Sequence, residues 1–347
     1  PTLTKTDSSA IPIKLQDPEY CDWFMPGFTS ERSDVTETGT YKGLTPLKTA
    51  WTDRMGNQYS SGSAFPTAFE LSYDEQRKTL GATLRIKIVP VELLRADGRG
   101  AILLGPDGQR QSVPFDHVAH WEGVAAGVEK PIKGGFVMQY RPATGPRFDL
   151  AAKKREVESV LNGHKSKLIL DGCSKGATCG CRVAIEFHVE FLLGLNGMDV
   201  SNGKKVHKTI YLFPRAIRAD SSSWGEISML PGKNDSWLDN PADTNVVAHE
   251  CGHMFNFPDE YWEFGGWVHK MYIKNNELDF ETGEKLNGNE VWQMRSSSNL
   301  MGYGALNAIK PGPKSAPSAT VSPHYLEYIR RHFCELTHKT WRIGYEM

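Results

Sequence analysis

Residues 181–191, CRVAIEFHVEF, alternate without a break. Val183, Ile185, Phe187, Val189 and Phe191 fall on one side of an extended chain, with Arg182, Glu186, His188 and Glu190 on the other. Side chains along a strand point to opposite faces with a period of two, so this run specifies a strand buried on one face. TLRIKIVPVELL sets Leu84, Ile86 and Ile88 against Arg85 and Lys87, which predicts a second half-buried strand. KTIYLFP (208–214) reads as a third. LLGPDGQRQSVPF places Pro-Asp-Gly between two extended runs, a hairpin signal. The period changes in DLAAKKREVESVLNG. Leu150, Val157 and Leu161 share a helical face, Asp149 can cap the start, and Asn162-Gly163 can stop it. HYLEYIRRHFCEL reads as a last helix, preceded by the Pro/Ser-rich loop KPGPKSAPSATVSP.

The first 145 residues read as strands and turns with little helical period. RPATGPR, at 141–147, is rich in Pro and Gly and is the expected boundary. This gives a β-rich domain over 1–145 and, over 146–347, a segment of helix, strands, helix, loop and helix, so the expected class is α+β. The 347 residues suffice for one large or two ordinary domains. Lys plus Arg is 40 and Asp plus Glu is 41, so nothing favours a nucleic-acid surface. No run of eighteen apolar residues predicts a membrane span. The first twenty residues lack a basic start followed by an apolar stretch, so no signal peptide is expected there. Six cysteines are too few for a disulfide scaffold. Cys173, Cys179 and Cys181 cluster in CSKGATCGC, read as a Gly-rich hairpin between KLILD and RVAIEF. A bridge from Cys173 to Cys179 or to Cys181 could sit inside it.

NPADTNVVAHECGHMF predicts a helix in which Asn240 or Asp243 can cap the start and Val246, Val247 and Cys251 supply buried positions. On it His249 and His253 lie four residues apart and so share a face, about one turn from each other. Two imidazoles so placed can grip one Zn²⁺, which in catalytic sites takes a third protein ligand and keeps a position for water. Glu250, beside the first ligand, suits a base that takes a proton from that water. Cys251 points away from the histidine face and is expected to pack inward. His117, His120 and His269 are expected as surface or core histidines.

From His249 the pattern runs H-E-x-x-H-x-x-N-x-x-D, ending at Asp259, and SNLMGYG follows downstream with Met301 and Tyr303. In these two stretches the chain resembles the metzincin clan of zinc peptidases. The resemblance covers about 200–304 and is strongest at 245–262. It implies Asp259 as third zinc ligand, a methionine turn at Met301 beneath the metal, and Tyr303 as a ligand or oxyanion donor. Asn256 stands where the clan has the glycine that turns the chain back to the metal; Asn is the next-best residue for a left-handed backbone. Glu260, one residue beyond Asp259, competes with it. A gluzincin-type third ligand would come from Glu277, Glu281, Glu284 or Glu290, which leaves LMGYG unexplained. A deformylase-type cysteine ligand from DGCSKG lies too far upstream. The HExGH…PDEY pattern also resembles zinc peptidase domains of bacterial secreted effectors and toxins.

The resemblance implies a metzincin-like zinc endopeptidase acting on a protein or peptide, with Glu250 as general base and Zn²⁺ as cofactor. The substrate would lie extended along an edge strand within 208–230, GEISML being the candidate. A secreted or delivered protein is implied, with a cytoplasmic one the alternative. A non-peptide amidohydrolase and a binding module with a structural metal remain the rival classes. Oligomeric state is left open.

Overall fold

The structure is a computed structural model. It describes residues 26–37, 50–52, 58–60, 65–142, 149–171, 181–195, 201–228, 245–257, 273–274, 277–278, 299–306, 319–321 and 323–345. In chain order the strands are β1 (Phe28–Glu37), β2 (Ala50–Thr52), β3 (Gln58–Ser60), β4 (Phe65–Asp74), β5 (Thr79–Arg95), β6 (Ser112–Val113), β7 (Pro131–Ile132), β8 (Phe136–Tyr140), β9 (Ser166–Leu170), β10 (Arg182–Leu193), β11 (Lys208–Ala216), β12 (Ser223–Ser228), β13 (Ile273–Lys274), β14 (Glu277–Leu278) and β15 (Trp341–Tyr345). The helices are α1 (His117–Ala126), α2 (Leu150–Leu161), α3 (Val246–Met254) and α4 (Glu327–Thr337). Large mixed sheet and separate helices make the class α+β, as expected.

The long strand β5 is the spine. Its first half pairs antiparallel with β4 on one edge and parallel with β10 on the other; further along it takes β11 in parallel, then β8 and β6. The main path runs β1-β4-β5-β10-β9-β15. The alternating run forms β10 as expected, and β9 and β10 pair antiparallel, as the hairpin reading requires. Register sets Leu80, Ala82 and Leu84 of β5 beside Ile185, Phe187 and Val189 of β10, all buried on one face. Helices α2, α3 and α4 contribute to that core through Val157 and Leu161, Ala248 and Met254, and Ile329 and Phe333.

β5 departs from the half-buried strand expected of it. Thr79, Thr83 and Arg85, on its other face, are buried as well. The Arg85 guanidinium pairs with Glu31 of β1 (2.5 Å) and Glu70 of β4 (2.9 Å), and its Nε donates to Lys205 O. A cation lies inside here because two carboxylates and a backbone carbonyl accept from it. From Val89 onward the buried set shifts to Val89, Val91 and Leu93, which join Phe115, Met138, Phe213 and Ala216 in a second cluster.

Two expectations about the first 145 residues change. They contain a helix, α1, capped by Asp116 accepting from Val118 N. And β5 hydrogen-bonds β10 and β11 while the main core draws on residues from Phe69 to Ile343, so a boundary at 145/146 falls inside one sheet and one core. The parallel β5–β10 pairing joins segments about a hundred residues apart, which no local period reports. No helix among the described residues is long and apolar enough to cross a membrane.

Candidate metal centre

α3 carries the HExxH residues. Asn240 and Asp243, the caps considered for it, lie outside the described residues; the helix starts at Asn245, which makes no side-chain cap bond. Its Nδ2 instead donates to Gly304 O (3.0 Å), tying the helix start to the turn at 303–306. The other end closes as a Schellman motif. Phe257 N donates to Gly252 O (2.9 Å), Asn256 N donates to His253 O (3.0 Å), and Asn256 takes the left-handed conformation with φ 72°. The residue in the glycine position therefore does turn the chain.

His249, Glu250 and His253 are all buried, at 3%, 7% and 7% exposure. The two imidazole rings lie 4.7 Å apart between centroids, nearly perpendicular. His249 Nδ1 is 2.9 Å from Leu300 O, and His253 Nδ1 is 2.8 Å from Phe257 O. A carbonyl can only accept, so each Nδ1 carries the proton, and in the neutral ring Nε2 keeps the lone pair. This is how metal-binding histidines are oriented: the far nitrogen is fixed by a donated hydrogen bond, and the near one is left as ligand. The donor set fits Zn²⁺, which takes neutral imidazole nitrogen and whose water a neighbouring carboxylate can deprotonate.

Both carbonyls come from turns packed on α3. The first belongs to the turn 299–302, closed by Gly302 N and Gly304 N donating to Asn299 O and by Leu300 N donating to Thr320 O. Met301, in that turn, is fully buried, and Gly252 lets it approach α3: a Cβ at 252 would sit 2.9 Å from Met301 Sδ and 2.9 Å from Phe257 Cδ2. Cys251 is buried in the core, away from the histidines, and burial first, then the Glu250 charge, push its thiol well up; it is an inert packing residue.

Tyr303 opens the 3₁₀ turn Tyr303–Leu306; only its backbone position is described. Asp259, Glu260, His269, Glu281, Glu284 and Glu290 lie outside the described residues, and Glu277 falls in the β13–β14 pair. Among the described residues no group of three His, Cys, Asp or Glu side chains could hold a metal ion. His117 Nδ1 pairs with Asp220 (2.6 Å), and His120 Nδ1 accepts from Asp116 N. Cys181 is fully buried in the core immediately before β10; Cys173 and Cys179, its two possible bridge partners in the hairpin, lie outside the described residues.

Sequence reasoning missed Leu300 and Phe257, because an orienting carbonyl carries no side-chain signal. It also missed Asn245, Asn299 and Tyr325, which hold the turns that supply those carbonyls. No protein-family model, curated protein or solved structure matches the chain.

Proposed function

We propose that this chain is a zinc-dependent endopeptidase of metzincin-like type. One observation carries the reading: two buried imidazoles, one helical turn apart, each hold their Nδ1 proton on a backbone carbonyl. In that tautomer Nε2 is the lone-pair nitrogen of each ring, the form in which a histidine binds a divalent ion. His249 and His253 would hold the ion, with Asp259 as third ligand. When bound, zinc supplies a Lewis acid that makes water nucleophilic near neutral pH and polarises the scissile carbonyl. Glu250 accepts the proton of the attacking water and returns it to the leaving amine. Tyr303 donates to the oxyanion, a contribution typically worth about 10²–10³ in rate.

β12 supports a peptide substrate over a small amide. It pairs in parallel with β11, and its other edge has no ladder partner among the described residues. An extended peptide can take up main-chain hydrogen bonds there.

The test is zinc content and peptide-library hydrolysis of the full chain and three variants. Glu250→Gln should keep zinc and lose hydrolysis; full activity in that variant removes the general-base role. Asp259→Ala should lose zinc while Glu290→Ala keeps it; the opposite pattern moves the third ligand to the gluzincin position. A chain that hydrolyses only non-peptide amides, or takes up no zinc, overturns the proposal.

A further inference from the structure

The two carbonyls that fix the histidines come from turns far apart in sequence, yet both turns touch the same side chain. Tyr325, 1% exposed, lies in the 3₁₀ turn Pro323–Leu326 that leads into α4. Its hydroxyl donates to Asn299 Oδ1 (2.8 Å). Asn299 O in turn accepts from Gly302 N and Gly304 N, which closes the turn whose Leu300 O receives His249 Nδ1–H. The Tyr325 ring stacks on Phe257, with centroids 5.5 Å apart and planes 23° from parallel. Phe257 O receives His253 Nδ1–H.

We propose that Tyr325 is a positioning residue that sets both imidazoles at once, its hydroxyl governing His249 and its ring governing His253. The two arms are chemically separable. The hydroxyl arm is a hydrogen bond between two side chains that are each 1% exposed, so water cannot readily replace it. The ring arm is a stack of Tyr325 on Phe257, a ring that also meets Phe187 edge to face at 5.6 Å. Partners outside the first shell of a metal ligand typically change metal affinity about 10–100-fold. The consequence for zinc rests on the metallopeptidase reading; the consequence for the rings does not.

The experiment uses the full chain, labelled with ¹⁵N at histidine and stripped of metal, at pH 8. Long-range couplings between ring nitrogens and ring protons report each tautomer, and His249→Gln and His253→Gln assign the signals. In the wild type both rings should be in the single Nδ1–H form. Tyr325→Phe keeps the stack and removes the hydroxyl, so His249 should become a mixture of tautomers while His253 stays fixed. Tyr325→Leu should release both. A purely structural tyrosine would move both rings together or neither in Tyr325→Phe, and either result overturns the proposal. Zinc affinity, read by competition with a chromophoric chelator, should fall about 10-fold in Tyr325→Phe and about 100-fold in Tyr325→Leu. If the rings respond as stated but the wild type takes up no zinc, the positioning role stands and the metallopeptidase reading falls. If zinc binds equally in all three proteins and the rings do not move, the positioning role falls and the metallopeptidase reading stands.

Discussion

Gly252, between the two candidate ligands, offers a direct measure of how tightly the turn of Met301 seats against α3. A methyl group there meets Met301 Sδ and Phe257 Cδ2, each at 2.9 Å. The thioether ends a flexible chain but is fully buried, and the Phe257 ring also packs against Phe187 and Tyr325, so each can yield to the methyl chiefly by moving into space that the other vacates. Overpacking of this kind typically costs about 1–3 kcal/mol, while replacing a mid-helix glycine by alanine returns about 1 kcal/mol of helix propensity. Gly252→Ala should therefore be destabilising by about 1 kcal/mol. Met301→Ala alone opens a cavity and should cost about 2–5 kcal/mol. In the double variant the new methyl enters space that the sulfur has left. The two effects should then fail to add, with a coupling of about 1–2 kcal/mol in favour of the double variant. Urea denaturation of the four metal-free proteins at pH 7.5 measures this. Additivity within about 0.5 kcal/mol would refute the claim that the turn of Met301 rests on α3 at Gly252.

Stability should fall with acid in a defined window. Burial pushes His164 down to about 4, and His207 is lowered by burial against the pull of Glu31. Both rings are kept neutral in the folded chain, whereas the unfolded chain takes up protons below about 6.5. Stability is therefore fully present above that value and lost as pH falls towards the folded value, by up to about 3 kcal/mol for His164. Metal-free protein should lose urea midpoint between pH 6.5 and 5, and His164→Asn, which keeps an acceptor for Ser166 N, should flatten the slope; a midpoint that is level or rising over that interval contradicts the assignment. Asn162, at the end of α2, donates to Phe187 O (2.8 Å) and accepts from Phe187 N (2.7 Å), standing in for a neighbouring strand at the edge of β10. Asn162→Ala should cost about 1–2 kcal/mol in the same assay, and a loss under about 0.5 kcal/mol would mean that water serves that edge as well.

Local period and turn chemistry made much of this chain legible. The alternation of Val183, Ile185, Phe187 and Val189 gave away β10, and Asp149 and Asn162 bracket α2 where the sequence places them. The tolerance of Asn for a left-handed backbone anticipated the turn at Asn256. What local pattern cannot report is a partner brought from elsewhere. Arg85 looks like a solvent-facing residue until Glu31 and Glu70 arrive from β1 and β4. The expected break near 145 follows composition, whereas the sheet follows the parallel pairing of β5 with β10. The helix α1 escaped notice because its buried positions, His120 and Gly123, make no apolar stripe. At the site, His249, Glu250 and His253 could be read directly, since side chains announce themselves. The Leu300 and Phe257 carbonyls could not, and neither could Tyr325, whose role depends on two turns meeting over one ring.

X-ray absorption at the zinc edge, on the full chain loaded with one equivalent of Zn²⁺, tests the central claim most directly. The account predicts a first shell of nitrogen and oxygen at about 2.0–2.2 Å, with outer-shell scattering from two imidazoles that disappears in the His249→Gln, His253→Gln double variant. A spectrum of sulfur ligands at about 2.3 Å, or one unchanged by that double variant, would place the ion elsewhere and contradict it.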